Sequence, residues 1–341
     1  MAKKLQPPLV DDRLMWDLWS SYYLMPTLTA AHELGLFSAL EEKCLSQQEV
    51  ESALSLKARP VEGMLSVLTG AGLIVRMDER YGLSETARTY LLPSSPYYWG
   101  GFFSQIRDYP ISHGSILEAF KKDKPTVSDT DVYEMTAEME SMAVGFTRAM
   151  HAVTLAPGQG SAMRGNFQGV KRLLDVGGGS GNFCISLVQN HLDIRCTVLE
   201  LPAVCKVVDQ YIADYGLKDR INSSPGDFFV SQWPRGYDAV FFGNIFHNWD
   251  RERCLILGRK AFDCLPPGGR IYLQEMLLDD SGSKPLTVAA NTIVMIFNHD
   301  GKQFTASELK GLLEECGFRD IECVPTYGYY SLTMGVKPQE C

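Results

Sequence analysis

The sequence predicts an α/β protein, a doubly wound parallel sheet preceded by a smaller, mainly α winged-helix domain. Three observations carry that expectation. In the second half of the chain, short apolar runs alternate with helix-period segments, as in a parallel sheet covered on both faces. Within it, Leu173 to Gly181 reads L-L-D-V-G-G-G-S-G, a strand that stops at a tight turn and hands over to a helix. Leu45 to Leu83 reads helix, turn, helix and a two-stranded wing. At 341 residues the chain suits two domains of about 100–200 residues each.

Composition narrows the function classes. Hydrophobic residues make up 45% and charged residues 21%, enough apolar surface for a sizeable core. The net charge of −9 argues against a phosphate backbone as main partner, so no nucleic acid is expected. The nine cysteines show no C-x-x-C spacing, which predicts reduced, mostly buried thiols, with one such as the terminal Cys341 exposed and oxidisable, and no metal site. The opening M-A-K-K-L-Q-P-P-L has basic residues but no apolar core of a signal peptide, and no run approaches the ~20 apolar residues that span a bilayer. A soluble, cytoplasmic protein without a membrane partner is expected.

From Asp11 to Leu40 the apolar spacing is helical, with a kink or break expected at Pro26. Two tryptophans and two tyrosines between Trp16 and Tyr23 exceed what one buried face needs, which points to a surface for a second copy of the chain. Ser46 with Glu49 forms a capping box, and Pro60 suits the first turn of a helix whose stripe is Val61, Met64, Leu65 and Leu68. Gly70 and Gly72 close that helix before the wing. Lys43 to Arg88 holds six basic and six acidic residues, and a DNA reader would need a basic face. An aromatic-rich stretch follows from Pro93 to Pro125, then a turn at Ser128–Asp131, and helical spacing resumes from Tyr133 to Val153. Pro157-Gly-Gln-Gly160 reads as a linker, giving a dimerisation and substrate-capping domain over 1–160 and a cofactor-binding domain over 161–341. Strands are expected at Arg172–Val176, Ile194–Glu200, Arg220–Ser223, Tyr237–Phe242 and Arg270–Met276, with a closing hairpin at Ile321–Val324 and Tyr330–Val336.

The glycine turn excludes two ligands by counting. A phosphate loop needs G-K-[ST], but Asn182 follows Gly181. A dinucleotide fingerprint from Gly177 and Gly179 would place its third small residue where Asn182 stands. What remains is Asp175 two residues ahead of alternating glycines at 177, 179 and 181. An acid at the strand tip repels a pyrophosphate and suits a cationic cofactor, such as one carrying an ammonium and a sulfonium. Glu200 closes the second strand 25 residues on, where a carboxylate takes ribose hydroxyls.

This constellation resembles the S-adenosylmethionine-dependent small-molecule O-methyltransferases, the family of plant caffeate, acetylserotonin and bacterial antibiotic-tailoring enzymes. The resemblance covers nearly the whole chain and rests on D-V-G-G-G-S-G (175–181), L-E-L-P (199–202), G-D-F-F (226–229), H-N-W-D (247–250), L-P-P-G-G-R (265–270) and G-F-R-D (317–320). It implies a Rossmann-like class I methyltransferase domain behind a dimerisation domain, S-adenosyl-L-methionine as cofactor, a small-molecule acceptor and a homodimer through the N-terminal domain. By the same resemblance the cofactor is held by Asp175, Gly177, Gly179, Gly181, Glu200, Leu201, Asp227, Phe228 and Asn244.

Methyl transfer from a sulfonium needs an aligned acceptor and loss of its proton. A phenol titrates near ~10 and an imidazole near ~6.5, so a neutral histidine serves when transfer and deprotonation are coupled. The resemblance makes His247 that base, Glu275 the acid that orients it, and Phe146 and Met150 walls of the acceptor site. Trp249 then holds the His loop beside the acceptor, and Asn291 and Asn298, seven apart on one helix face, offer polar contacts. Two positions depart from the family pattern: Gln303 stands for the second acid, and Asn248 for the Asp after the histidine. Three alternatives stay open: a carboxylate, nitrogen or carbon acceptor on the same fold, a cofactor-binding homologue without activity, for which these departures are the motive, and a winged-helix regulator.

Overall fold

The computed structural model describes residues 8–107, 109, 111–125 and 140–339. The turn expected at Ser128–Asp131, the stretch Tyr133–Met139 and Cys341 lie outside the described residues. The chain divides into two compact units, Met1–Asp108 and Tyr109–Cys341.

The first unit is mainly helical. Helices Arg13–Ser21 and Leu24–Glu33 are separated at Tyr22–Tyr23, so the break precedes Pro26. Pro26 sits in the first turn of the second helix, where a missing N–H costs nothing because that donor has no intrahelical partner. The helix Gln47–Leu54 starts on the Ser46–Glu49 capping box. The next helix, Ala58–Gly70, buries Val61, Met64, Leu65 and Leu68. Three short strands, β1 (Leu45–Ser46), β2 (Ile74–Met77) and β3 (Arg80–Leu83), form the wing in the order β1-β3-β2. The helix Arg13–Ser21 buries none of its residues, and Trp16, Trp19 and Tyr22 are exposed.

The second unit holds a seven-stranded sheet. Its strands are β4 (Arg172–Val176), β5 (Arg195–Glu200), β6 (Ile221–Pro225), β7 (Ala239–Gly243), β8 (Arg270–Met276), β9 (Arg319–Tyr327) and β10 (Tyr330–Val336), in the order β6-β5-β4-β7-β8-β10-β9. Strands β4 to β8 run parallel, with Leu174 opposite both Thr197 and Val240, and β10 closes the sheet antiparallel to β8 and β9. Period-2 alternation sorts the strands into two cores. Leu174, Val240 and Leu273 face a core built on the helices Arg251–Cys264 and Ala306–Glu315. Leu173, Phe241 and Tyr272 face one built on Asn182–Asn190 and Pro202–Asp214, where Phe183 stacks on Phe241 at 3.5 Å between centroids. Chain order reverses between β4 and β7, and the carboxyl ends of the strands at such a switch point are where doubly wound sheets take their ligands.

The linker expected at Pro157–Gly160 is helix instead: Glu140–Arg164 passes straight through it, and the boundary between units lies near residue 108 rather than 160. The glycines there serve close packing. A Cβ on Gly160 would lie 2.6 Å from the Cβ of Tyr327, and one on Gly158 would lie 3.4 Å from the Phe183 backbone.

Candidate active site

The expected site residues gather at the carboxyl ends of β4, β5, β7 and β8. Gly177, Gly179 and Gly181 all adopt positive φ, at +68°, +56° and +75°, a region that side chains strain. A Cβ on Gly177 would collide with Ile245, whereas the space beside Gly179 is open. Glu200, the last residue of β5, fastens this turn: its Oε1 accepts from the Gly179 amide at 3.2 Å and its Oε2 from the Leu201 amide at 2.7 Å. Asp175 is buried at 1% exposure, and its Oδ2 accepts from the Cys184 thiol at 3.3 Å. Its Oδ1 has no hydrogen-bond partner. Burial pushes both carboxyls up to about 7, with Glu200 adding to the rise at Asp175 and backbone amides opposing it at Glu200.

Asn244 follows β7 in the left-handed region at φ +57°, its amide donating to the Gln274 carbonyl at 3.0 Å. Its side-chain oxygen is buried without a partner. The loop after β6 is tied differently. The exposed Asp227 accepts from the Phe229 amide at 2.7 Å, and the Lys260 ammonium donates to the carbonyls of Phe228, Phe229 and Ser231 at 2.7, 2.8 and 3.0 Å.

Beside this group, the 3₁₀ turn Phe246–Asn248 carries His247. His247 Nδ1 lies 2.7 Å from Glu275 Oε2, close enough to pair as ions but not aligned as a hydrogen bond, and the other Glu275 oxygen accepts from the amides of Phe246 at 2.9 Å and His247 at 3.4 Å. Glu275 is 1% exposed and His247 8%. The 300–303 loop lies directly on this turn, since a Cβ on Gly301 would overlap the His247 carbonyl. Gln303 itself is buried, and neither amide atom has a hydrogen-bond partner, so no hydrogen bond joins it to His247 or Glu275.

The residues expected around an acceptor are less unified. Phe146 and Met150 are half-buried on the helix Glu140–Arg164. Trp249 is core packing: its ring is buried edge-on to Phe229 at 4.8 Å, with the Arg253 guanidinium 4.9 Å from its centroid. Asn291 donates to the Thr287 carbonyl of its own helix at 3.0 Å, while Asn298 donates to the Tyr109 hydroxyl. The two amides share a face without sharing a partner. Sequence reading missed His151, whose Nδ1 lies 2.7 Å from the Ser180 hydroxyl in the glycine turn. Its only signal was helical spacing with Thr154, which in turn receives a hydrogen bond from Asn182.

The residues present fit S-adenosylmethionine. Two buried oxygens without partners, on Asp175 and Asn244, and two carboxyls raised by burial lie at the carboxyl ends of β4, β5 and β7, where a Cβ on Gly179 would meet nothing within 4 Å. A cationic ligand with ribose hydroxyls supplies the charge and the donors such an environment lacks.

Comparison with known proteins agrees with this geometry. A family profile described as an O-methyltransferase domain matches residues 117–319, and one described as an O-methyltransferase dimerisation domain matches 16–93. The chain is 31% identical to the 3-hydroxy-5-methyl-1-naphthoate 3-O-methyltransferase of Streptomyces sahachiroi over 334 residues, 97% of each protein. It is 30% identical to the L-tyrosine C(3)-methyltransferase of Streptomyces lavendulae, covering 84% of this chain and 80% of that one. The structure of human N-acetylserotonin methyltransferase with S-adenosylmethionine has the same fold, at a TM-score of 0.84 and 22% identity over 98% of this chain and all of that one. Among the described residues no helix is long and apolar enough to cross a membrane.

Proposed function

This chain belongs to the S-adenosylmethionine-dependent O-methyltransferase family, and on that premise we propose that it methylates a hydroxyl of a small aromatic metabolite with His247 as general base. The observation that carries the proposal is the 2.7 Å contact between His247 Nδ1 and the buried Glu275 carboxylate. A proton on Nδ1, on the side of Glu275, would leave the Nε2 lone pair free to accept from a hydroxyl, and the carboxylate 2.7 Å away would stabilise the imidazolium that results. Because Glu275 also accepts from the amides of the 3₁₀ turn, it sets backbone and ring together.

S-adenosylmethionine, when bound, supplies an electrophilic methyl group on a sulfonium that leaves readily. Asp175 and Glu200, with the turn Gly177–Gly181, Leu201, Asp227, Phe228 and Asn244, would hold it. Phe146 and Met150 offer a polarizable wall to a flat acceptor, and Asn298 a polar edge. The base machinery has one carboxylate fewer than the family pattern, because Gln303 is neutral. A hydroxyl acidified by conjugation matches that weaker machinery better than a simple phenol does.

Carbon methylation beside a phenol is the second reading, favoured by the likeness to the L-tyrosine C(3)-methyltransferase. Incubation with 13C-methyl S-adenosylmethionine and a panel of hydroxylated aromatic acids, followed by NMR of the product, separates the two. An oxygen-bound methyl supports the proposal, a carbon-bound methyl supports the second reading, and no transfer to any acceptor contradicts both.

A homodimer through the first unit is part of the same proposal, supported by the match to the dimerisation domain and the exposed Trp16, Trp19 and Tyr22. A cytoplasmic location accords with the eight described cysteines, all of them free thiols.

A further inference from the structure

The glycine turn has a mechanical weakness. Of residues 177–181, four are glycines, three of them in the left-handed region, and glycine loses the most conformational freedom on ordering. Ser180 is the only residue of the turn with a side chain by which it can be held, and that side chain is buried.

Besides Glu200, which accepts from the Gly179 amide, the turn is held through that side chain by the helix Glu140–Arg164. His151 Nδ1 meets Ser180 Oγ at 2.7 Å, Thr154 accepts from Asn182, and Gly158 packs against the Phe183 backbone. Positions 151, 154 and 158 lie on one helix face, and they meet residues 180, 182 and 183 in the same order. The His151 ring is itself fixed, stacked on Tyr211 with centroids 4.0 Å apart and planes 14° from parallel. Burial pulls its pKa down to about 4, so the imidazole is neutral at physiological pH.

We propose that His151 is a positioning residue for the cofactor: held by Tyr211, it anchors Ser180 and keeps the glycine turn in its binding shape before S-adenosylmethionine arrives. This deepens the reading of the turn as the cofactor site and rests on it. A preorganised turn lowers the ordering cost of binding, so loss of the anchor appears as weaker affinity. No contact between His151 and the ligand is required.

The test is a set of full-length variants titrated calorimetrically with S-adenosyl-L-homocysteine. His151→Phe keeps an aromatic ring against Tyr211 and removes the hydrogen bond, His151→Asn keeps a polar partner for Ser180, and Ser180→Ala removes the other end. His151→Phe and Ser180→Ala should each weaken binding about tenfold, the worth of one hydrogen bond to a buried group, and the double variant should be no worse than either. His151→Asn should recover most of the loss, and in turnover the defect should appear in KM for the cofactor rather than in kcat. Wild-type protein that fails to bind S-adenosyl-L-homocysteine overturns the cofactor reading and this inference with it. Wild-type binding matched by His151→Phe, or losses that add in the double variant, overturns this inference alone. Melting temperatures of each variant identify a general loss of structure, in which case His151→Asn would fail to restore affinity and the anchor would be refuted.

Discussion

Glu275 accepts from the backbone amides of Phe246 and His247 through one oxygen and places the other 2.7 Å from the His247 ring nitrogen. In the proposed reaction, a carboxylate on β8 would therefore set where the base on the neighbouring loop stands and which of its nitrogens faces the acceptor. Glu275→Gln keeps the size and can still accept a hydrogen bond, but it removes the charge that stabilises an imidazolium. We expect kcat to fall by on the order of 10²-fold with little change in cofactor affinity. Steady-state kinetics against calorimetric binding checks this, and an equal loss in both would mean that Glu275 supports the fold instead.

If Asp175 and Glu200 hold the cofactor as proposed, its binding should depend on pH. Both are raised by burial to about 7 in the unliganded protein, above ordinary carboxyl values. A bound cation and new hydroxyl donors favour the ionised forms, so binding should release protons and tighten as pH rises from ~6 to ~8. The sign for folding is the reverse. A raised carboxyl pKa contributes stability that is fully present below about pH 4 and lost as pH rises through about 7. Calorimetry in two buffers of different ionisation enthalpy counts the released protons, and thermal melts with and without ligand follow both trends.

Gly160 tests the architecture of the long helix. Gly160→Ala would normally favour a helix, but the added Cβ meets Tyr327 at 2.6 Å. Overpacking of this kind costs about 1–3 kcal/mol, so a lowered urea midpoint is expected. A stabilised variant would show that residues 157–160 are free of that packing.

The exposed aromatic residues of the helix Arg13–Ser21 make the oligomeric state a direct test. Light scattering should report twice the 38.0 kDa chain mass, and Trp16→Asp with Trp19→Asp should give the monomer. A wild-type monomer would remove the dimer from the account.

Much of this was legible in the sequence because residue type and spacing carried the chemistry. The strands of the parallel sheet show as apolar runs bounded by turns, and their observed ends lie within a few residues of expectation. Asp175, Glu200 and His247 stand at strand ends, where a doubly wound sheet presents ligand-binding groups. What stayed hidden depends on contacts between distant segments. Pro157-Gly-Gln-Gly160 has the composition of a linker, but tertiary packing against Tyr327 and Phe183 selects glycine inside a helix. Asn291 and Asn298 have matched spacing, yet each answers to a different neighbour. His151 and Ser180 are 29 residues apart with no motif joining them, and only the fold brings them together.

The central claim is that His247 removes the acceptor's proton. The most direct measurement is the rate of S-adenosyl-L-homocysteine formation by His247→Ala and by wild-type protein, on the acceptor found by NMR, with cofactor saturating in both. If His247 is the base, kcat falls by about 10²–10⁴-fold with cofactor affinity retained. Turnover in His247→Ala close to that of wild type would contradict it.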